Sequence, residues 1–331
     1  MSTNQTFGNY NTKYRLVVDR ASLAYSSETE FFSFEAGRVK NPWFGTDLVW
    51  DSDLSFDGFV GKFKFAKTDN PLDVDENQLE PYLTMGAFPL TESNRDDDKW
   101  LLGFQAGLEK QFLSQSRLHI ALAYYNYLKV AAIKNQLGDG TTYNYTAPSF
   151  MQKGNTLFDI AQPGSSSQLY GLATDYDLVN ATVSYDLASF APIHIYLTAD
   201  YVKNVGYELS EDAKTFNTLL TTGYAEESDG YQFKVDVGWP DVRQRGNWRA
   251  YLAYRHLERD AVLDAFTDSD FHLGGTDSKG FILGGSYGLA ENIWLDGRWI
   301  SSEVINGEQF AFDSPGTFKV NTIQINLNAK F

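Results

Sequence analysis

Gly284, Gly285, Ser286, Tyr287 and Gly288 spell G-x-S-x-G, the nucleophile elbow of serine hydrolases. An elbow needs a strand, a sharp turn and a helix around its serine. Here Ser286 sits inside an alternating run in which Phe281, Leu283, Gly285, Tyr287 and Leu289 share one face, and no helix follows. No catalytic residue is assigned. The four histidines, His119, His194, His256 and His272, fall in separate elements without metal-ligand spacing, so no metal ligand or cofactor is assigned either. Three acidic clusters could offer oxygen to Ca²⁺ or Mg²⁺: Asp96 to Asp98; Glu226, Glu227 and Asp229; and Asp264, Asp268 and Asp270. None has EF-hand spacing, and solvated outer loops are the expectation for all three. Cysteine is absent, which removes disulfide and thiol chemistry. The formal net charge of -16 repels phosphate backbones, so no nucleic-acid partner is expected.

What remains is the chemistry of a charged wall. Lys62, Lys64, Glu109, Asp200, Lys234, Asp236, Arg249, Arg255, Asp296 and Arg298 all stand on the polar side of alternating segments. Rings of charge at a constriction set the ion preference of a pore, so these ten residues are the expected pore lining. A second constellation lies in NPWFGTDLVWDSDLSFDGF, residues 41–59, where Asp47, Asp51 and Asp53 are interleaved with Trp43 and Trp50. It is too acidic and irregular for a lipid-facing strand. Either it folds into a lumen as a constriction loop, or its aspartates cap turns in an external loop.

The elements that position these residues are strands. From Ile323 onward Ile323, Ile325, Leu327, Ala329 and Phe331 alternate with Gln324, Asn326, Asn328 and Lys330, a strand with two different solvents on its faces. The same period recurs at about 13–25, 30–39, 59–65, 80–90, 100–110, 118–127, 179–187, 193–201, 231–239, 248–255, 281–289 and 293–299, about 13 strands in all. A short helix is expected near 213–220, and the stretch from 128 to 168 shows no sustained period. No run of 18 apolar residues occurs, so no transmembrane helix is present. Mean hydropathy is only -0.35, yet aromatic residues make up 15%. An all-β, antiparallel transmembrane β-barrel reconciles the two, because one side of each strand faces lipid and the other faces water.

Short links (SQSR, ASFAP, WPDVRQRGN, AEN) alternate with long ones (128–168, 206–229, 261–279, 305–317). Short periplasmic turns and long outer loops are the outer-membrane pattern. The stretch STNQTFGNYNTKY after Met1 has neither a basic start nor an apolar core, so the expectation is either a cytoplasmic chain or one whose amino-terminal portion, signal peptide included, is removed or missing.

The blocks NPWFGTDLVWDSDL, KGNTLFDI (153–160), DAVLDAFTDSDFHLGGTDSKGF and TIQINLNAKF resemble recurring segments of the bacterial putative porins. That resemblance implies a single outer-membrane barrel domain over 1–331, passing small hydrophilic solutes or ions without catalysis. Outer-membrane lipid and lipopolysaccharide are its implied surroundings, and a homotrimer is an assembly common among general porins. Single-chain bacterial barrels have an even strand count, so thirteen implies further strands upstream of this chain and puts closure between the strand at 13–25 and that at 323–331 in question. Two other functions compete. A lipid hydrolase in barrel form would place a serine beside His256 on the lipid-facing rim, and an adhesive or structural barrel would conduct nothing.

Overall fold

The computed structural model describes residues 18–29, 31–65, 79–92, 98–216, 226–306 and 318–330. Within them thirteen strands form one antiparallel meander: β1 (Ala21–Ser26), β2 (Phe32–Lys40), β3 (Ser55–Lys64), β4 (Leu79–Thr91), β5 (Lys99–Gln111), β6 (Arg117–Leu128), β9 (Tyr176–Phe190), β10 (Ile193–Asn204), β11 (Asp229–Gly238), β12 (Trp248–Leu257), β13 (Ser278–Ala290), β14 (Ile293–Val304) and β15 (Lys319–Ala329). A two-stranded hairpin, β7 (Leu157–Asp159) with β8 (Tyr170–Leu172), and a short helix α1 (Glu211–Phe216) lie in the connections. The hairpin occupies the stretch where no period was legible. The helix falls where one was expected, its span beyond 216 lying outside the described residues.

Every strand pairs with its neighbour in sequence, β6 and β9 being joined across the hairpin. Among the described residues β1 pairs only with β2 and β15 only with β14, so no closure between the two edges is seen. Phe331 and residues 13–17, which the closure expectation also named, lie outside the described residues.

The period of two decides what each face meets. Val183, Ala199, Phe233, Tyr254 and Phe281 stand in cross-strand register on the outward face, and the apolar side chains there are left uncovered: Leu122 is 58% exposed and Ile323 75%. The long loops fold against the opposite, inner face. The links sort by end: 27–31, 112–116, 191–192, 239–247 and 291–292 at one end, and 41–54, 129–175, 205–228, 258–277 and 305–318 at the other. The 65–78 link departs from the pattern, being long at the short-turn end. No helix among the described residues is long and apolar enough to cross a membrane.

The core sits on the inner face near the loop end. Leu101, Tyr125, Tyr127, Tyr176, Leu178, Val202 and Leu257 from the wall pack against Leu48, Val49 and Trp50 of the 41–54 loop and Ala261, Val262 and Leu263 of the 258–277 loop. A wall with one lipid face and one uniformly wet face is therefore corrected. The inner face is dry toward the loops and polar toward the turns, because the loops return into the sheet's concavity and need apolar surface to pack on.

Candidate functional site

Three loops meet over the wall, and they carry three of the four blocks singled out in the sequence. The 41–54 loop is held at two points. The buried Gln105 amide of β5 accepts from Phe44 N–H (2.8 Å) and donates to Phe44 C=O (2.7 Å), imitating a strand pair. The buried Asp200 carboxylate of β10 accepts from Thr46 N–H (2.9 Å) and Thr46 Oγ1 (2.7 Å), while its other oxygen accepts from Asn180 (2.6 Å) and Thr182 (3.0 Å). A buried carboxylate persists when its lone pairs are met in this way. Phe44 then stacks on the imidazole of His119, with ring centroids 3.4 Å apart.

The block at 153–160 joins the 258–277 loop by close backbone approach. Thr276 N–H donates to Lys153 C=O (2.9 Å). A Cβ on Gly154 would meet Thr276 Oγ1 at 2.4 Å, and one on Gly275 would meet Lys153 O at 2.1 Å, so both positions need glycine. Asn155 donates to the carbonyls of Arg259 (2.7 Å) and Val262 (2.8 Å), and the fully buried Asp260 accepts from Thr156 N–H (2.8 Å), Thr156 Oγ1 (2.5 Å) and Tyr176 OH (2.9 Å). Asp51 closes the set: its N–H donates to Phe266 C=O (2.9 Å) and its carboxylate accepts from Ser269 N–H (3.1 Å). Trp43 and Trp50 are buried in the aromatic cluster, while Asp53 is exposed and Asp47 half-buried. Burial and the neighbouring carboxylates push the Asp47 pKa up, against the pull of Arg255.

All ten predicted wall residues share the inner face, but they meet different surroundings. Arg255 is buried, donating to Gln232 (2.6 Å) and pairing with Asp268 (3.0 Å), with its guanidinium 4.6 Å from the Phe271 ring. Arg298 pairs with Asp270 and donates to Gln324. These two cations hold the 258–277 loop down. Lys234 and Arg249 instead share Asp236 of their own sheet, at 3.2 Å and 3.1 Å. Asp296 accepts from Trp294 (3.2 Å) and Asn328 (2.7 Å), and Glu109 lies 3.7 Å from His119. Lys62 and Lys64 stand apart on β3, exposed near the turn end.

The acidic cluster at 264–270 is not solvated as expected, while Glu226 of the second cluster is exposed. Asp264 and Asp268 are buried, because loops packed on the wall turn their carboxylates toward backbone N–H groups and Arg255 instead of water. Desolvation raises the Asp264 pKa to about 6 despite the hydrogen bond from Gln152 N–H. Glu227 meets Arg259 at 3.4 Å, and Asp229 meets Lys203 at 2.9 Å. Asp96 and Asp97 lie outside the described residues. Among the described residues no His, Asp and Glu side chains gather in the manner of a metal site.

Ser286 pairs with Arg249 and Asp296, on the inner face, whereas His256 is on the outward face, stacked on Tyr231 at 5.0 Å. The motif serine and the rim histidine thus stand on opposite sides of the sheet. Sequence reading missed Gln105, Asn155 and Asp260. Gln105 had a signal, as a lone amide between inward Gly103 and Gly107, while Asn155 and Asp260 lie in the blocks KGNTLFDI and DAVLDAFTDSDFHLGGTDSKGF without a role that spacing could assign them.

The model of a family described as putative porin matches residues 1–331, the whole chain. The chain belongs to that family. No curated protein matches it. Family membership and a thirteen-stranded wall with an apolar outside agree, and neither gives support to a hydrolase or a purely adhesive barrel.

Proposed function

We propose that this family member is a passive diffusion channel of a bacterial outer membrane, a single barrel domain that admits small hydrophilic solutes or ions and performs no catalysis. The observation that carries the reading is the division of one wall: uncovered apolar side chains outside, and inside a charged face narrowed by loops anchored on Gln105, Asp200, Arg255 and Arg298. Apolar strands outside satisfy lipid, and charges inside select solutes by field and size. In this reading Trp43, Asp47, Trp50, Asp51 and Asp53 belong to the constriction loop. The ten wall charges divide into those that hold loops and those that face solute. Lipopolysaccharide and lipid surround the outward face, and a homotrimer is the assembly to test by mass measurement in detergent.

Planar-bilayer recording of the purified protein is the direct test. Stepwise conductance is expected, and a membrane that stays silent at high protein load would sink the channel reading. Lipid hydrolysis by the same preparation would replace it with the enzyme alternative.

A further inference from the structure

Besides Lys62 and Lys64 at the turn end, two wall cations are not claimed by a loop. Arg255 and Arg298 each meet a carboxylate of the 258–277 loop, but Lys234 and Arg249 converge on one oxygen of Asp236, whose side chain is 4% exposed. Two positive charges on one buried carboxylate leave one in excess. Each cation is steadied by a ring: the Arg249 guanidinium lies 4.2 Å from the Tyr196 centroid and the Lys234 amine 4.4 Å from that of Tyr251. The Tyr251 ring lies over Gly284, where a Cβ would come within 2.4 Å of its Cζ. The rings therefore line the wall.

Arg249 uses Nε for Asp236 and one face for Tyr196, and its terminal Nη groups donate to no protein acceptor among the described residues. Its side chain is 30% exposed and that of Lys234 33%, so both are reachable from the lumen. Competing carboxylates nearby are engaged. Asp186 is bonded by His194 (2.8 Å), and Asp296 by Trp294 and Asn328. Asp47 of the 41–54 loop, which feels Arg255 more than Lys234, is weakened as an anion by its burial.

We infer that Arg249 and Lys234, held by Asp236, Tyr196 and Tyr251, form a subsite for a small carboxylate solute. The two free guanidinium amines match the two oxygens of a carboxylate, and the lysine supplies a second, less directional charge suited to a dicarboxylate. The site is a resting point on the path of the channel proposed above and rests on that reading for its role, though not for its binding.

The test uses succinate on the full chain in two ways. Saturation-transfer NMR on protein in micelles reads binding without conduction, and succinate interruption of bilayer current reads it on the path. R249Q leaves Asp236 paired with Lys234, and K234Q leaves it paired with Arg249, so neither strands the buried carboxylate. R249Q is expected to abolish the transfer signal and raise the half-blocking concentration about tenfold, the loss of one bidentate charge-assisted contact. R249K should fall between. Succinate signals equal in wild type and R249Q, or absent from both in a conducting protein, would overturn the subsite and leave the channel standing. A silent bilayer with an R249Q-sensitive transfer signal would do the reverse.

Discussion

The two ends of the inner face differ although one alternation runs through both. On β6 the inward residues run Arg117, His119, Ala121, Ala123, Tyr125 and Tyr127, and on β9 the matching set runs Asp186, Ser184, Thr182, Asn180, Leu178 and Tyr176. Toward the turns the wall is charged, and toward the loops it is aromatic and dry. The same contrast divides its arginines. Arg255 is fully covered and holds a loop, while Arg249 is part-exposed and holds nothing but its own sheet. Position along a strand, more than parity, thus decides whether an inward charge holds a loop or pairs only within its own sheet.

The comparison breaks first if the loops do not narrow the lumen. Removing residues 45–52 takes out Leu48, Val49 and Trp50, and single-channel conductance is expected to rise severalfold. An unchanged step would place the passage elsewhere. Next in size is R255M, which strands the buried Asp268. Breaking one side of a buried ion pair costs roughly 3–5 kcal/mol, here expressed as faster proteolysis within 258–277 and a lower thermal midpoint, with the reversal potential in a salt gradient hardly moved. R249Q should do the opposite, shifting reversal potential toward cations while altering stability by less than about 1 kcal/mol. If both variants behave alike, the division between holding and solute-facing arginines is wrong.

A smaller effect is expected from pH. Burial raises the Asp264 pKa from 3.8 to about 6, so the packed loop is favoured most when this carboxyl is protonated in both states, below the lower value. The loop loses that advantage as pH rises through about 6, by order 3 kcal/mol at most for a shift of this size. His272 works the other way. Burial, with Lys153 nearby, lowers its pKa from 6.5 to about 4, so its contribution is present above 6.5 and lost as pH falls through 4. Hydrogen exchange of residues 258–277 between pH 4 and 7 should show D264N flattening the upper limb and H272Q the lower.

Much of the wall was legible because a period of two is a local signal. Phe281, Leu283 and Tyr287 announce their face without reference to any distant residue, and all thirteen expected strands found a counterpart. The parity of the ten wall charges followed from the same rule. The dry upper half was not legible. Tyr125 and Tyr127 read as polar-side residues until the loops that cover them are placed, and loop contacts rest on single polar side chains such as Asn155, whose partners lie 104 and 107 residues away. Charged clusters misled for a related reason: aspartates in a long loop look solvated, whereas Asp268 meets Arg255 only once the loop has turned back onto β12.

The meander also sets an order of events. Each wall strand pairs with the wall strand before it, β9 with β6 across the 129–175 connection, so the wall can grow in chain order with modest loop-closure entropy. The hydrogen bond from Ser269 to Asp51 spans 218 residues and cannot form until β12 is in place above β3. If the wall grows in chain order, it stands before its knot does. Until then Trp50, Tyr125 and Leu263 stay open to water, a second apolar surface on the inner face in addition to the uncovered outward one.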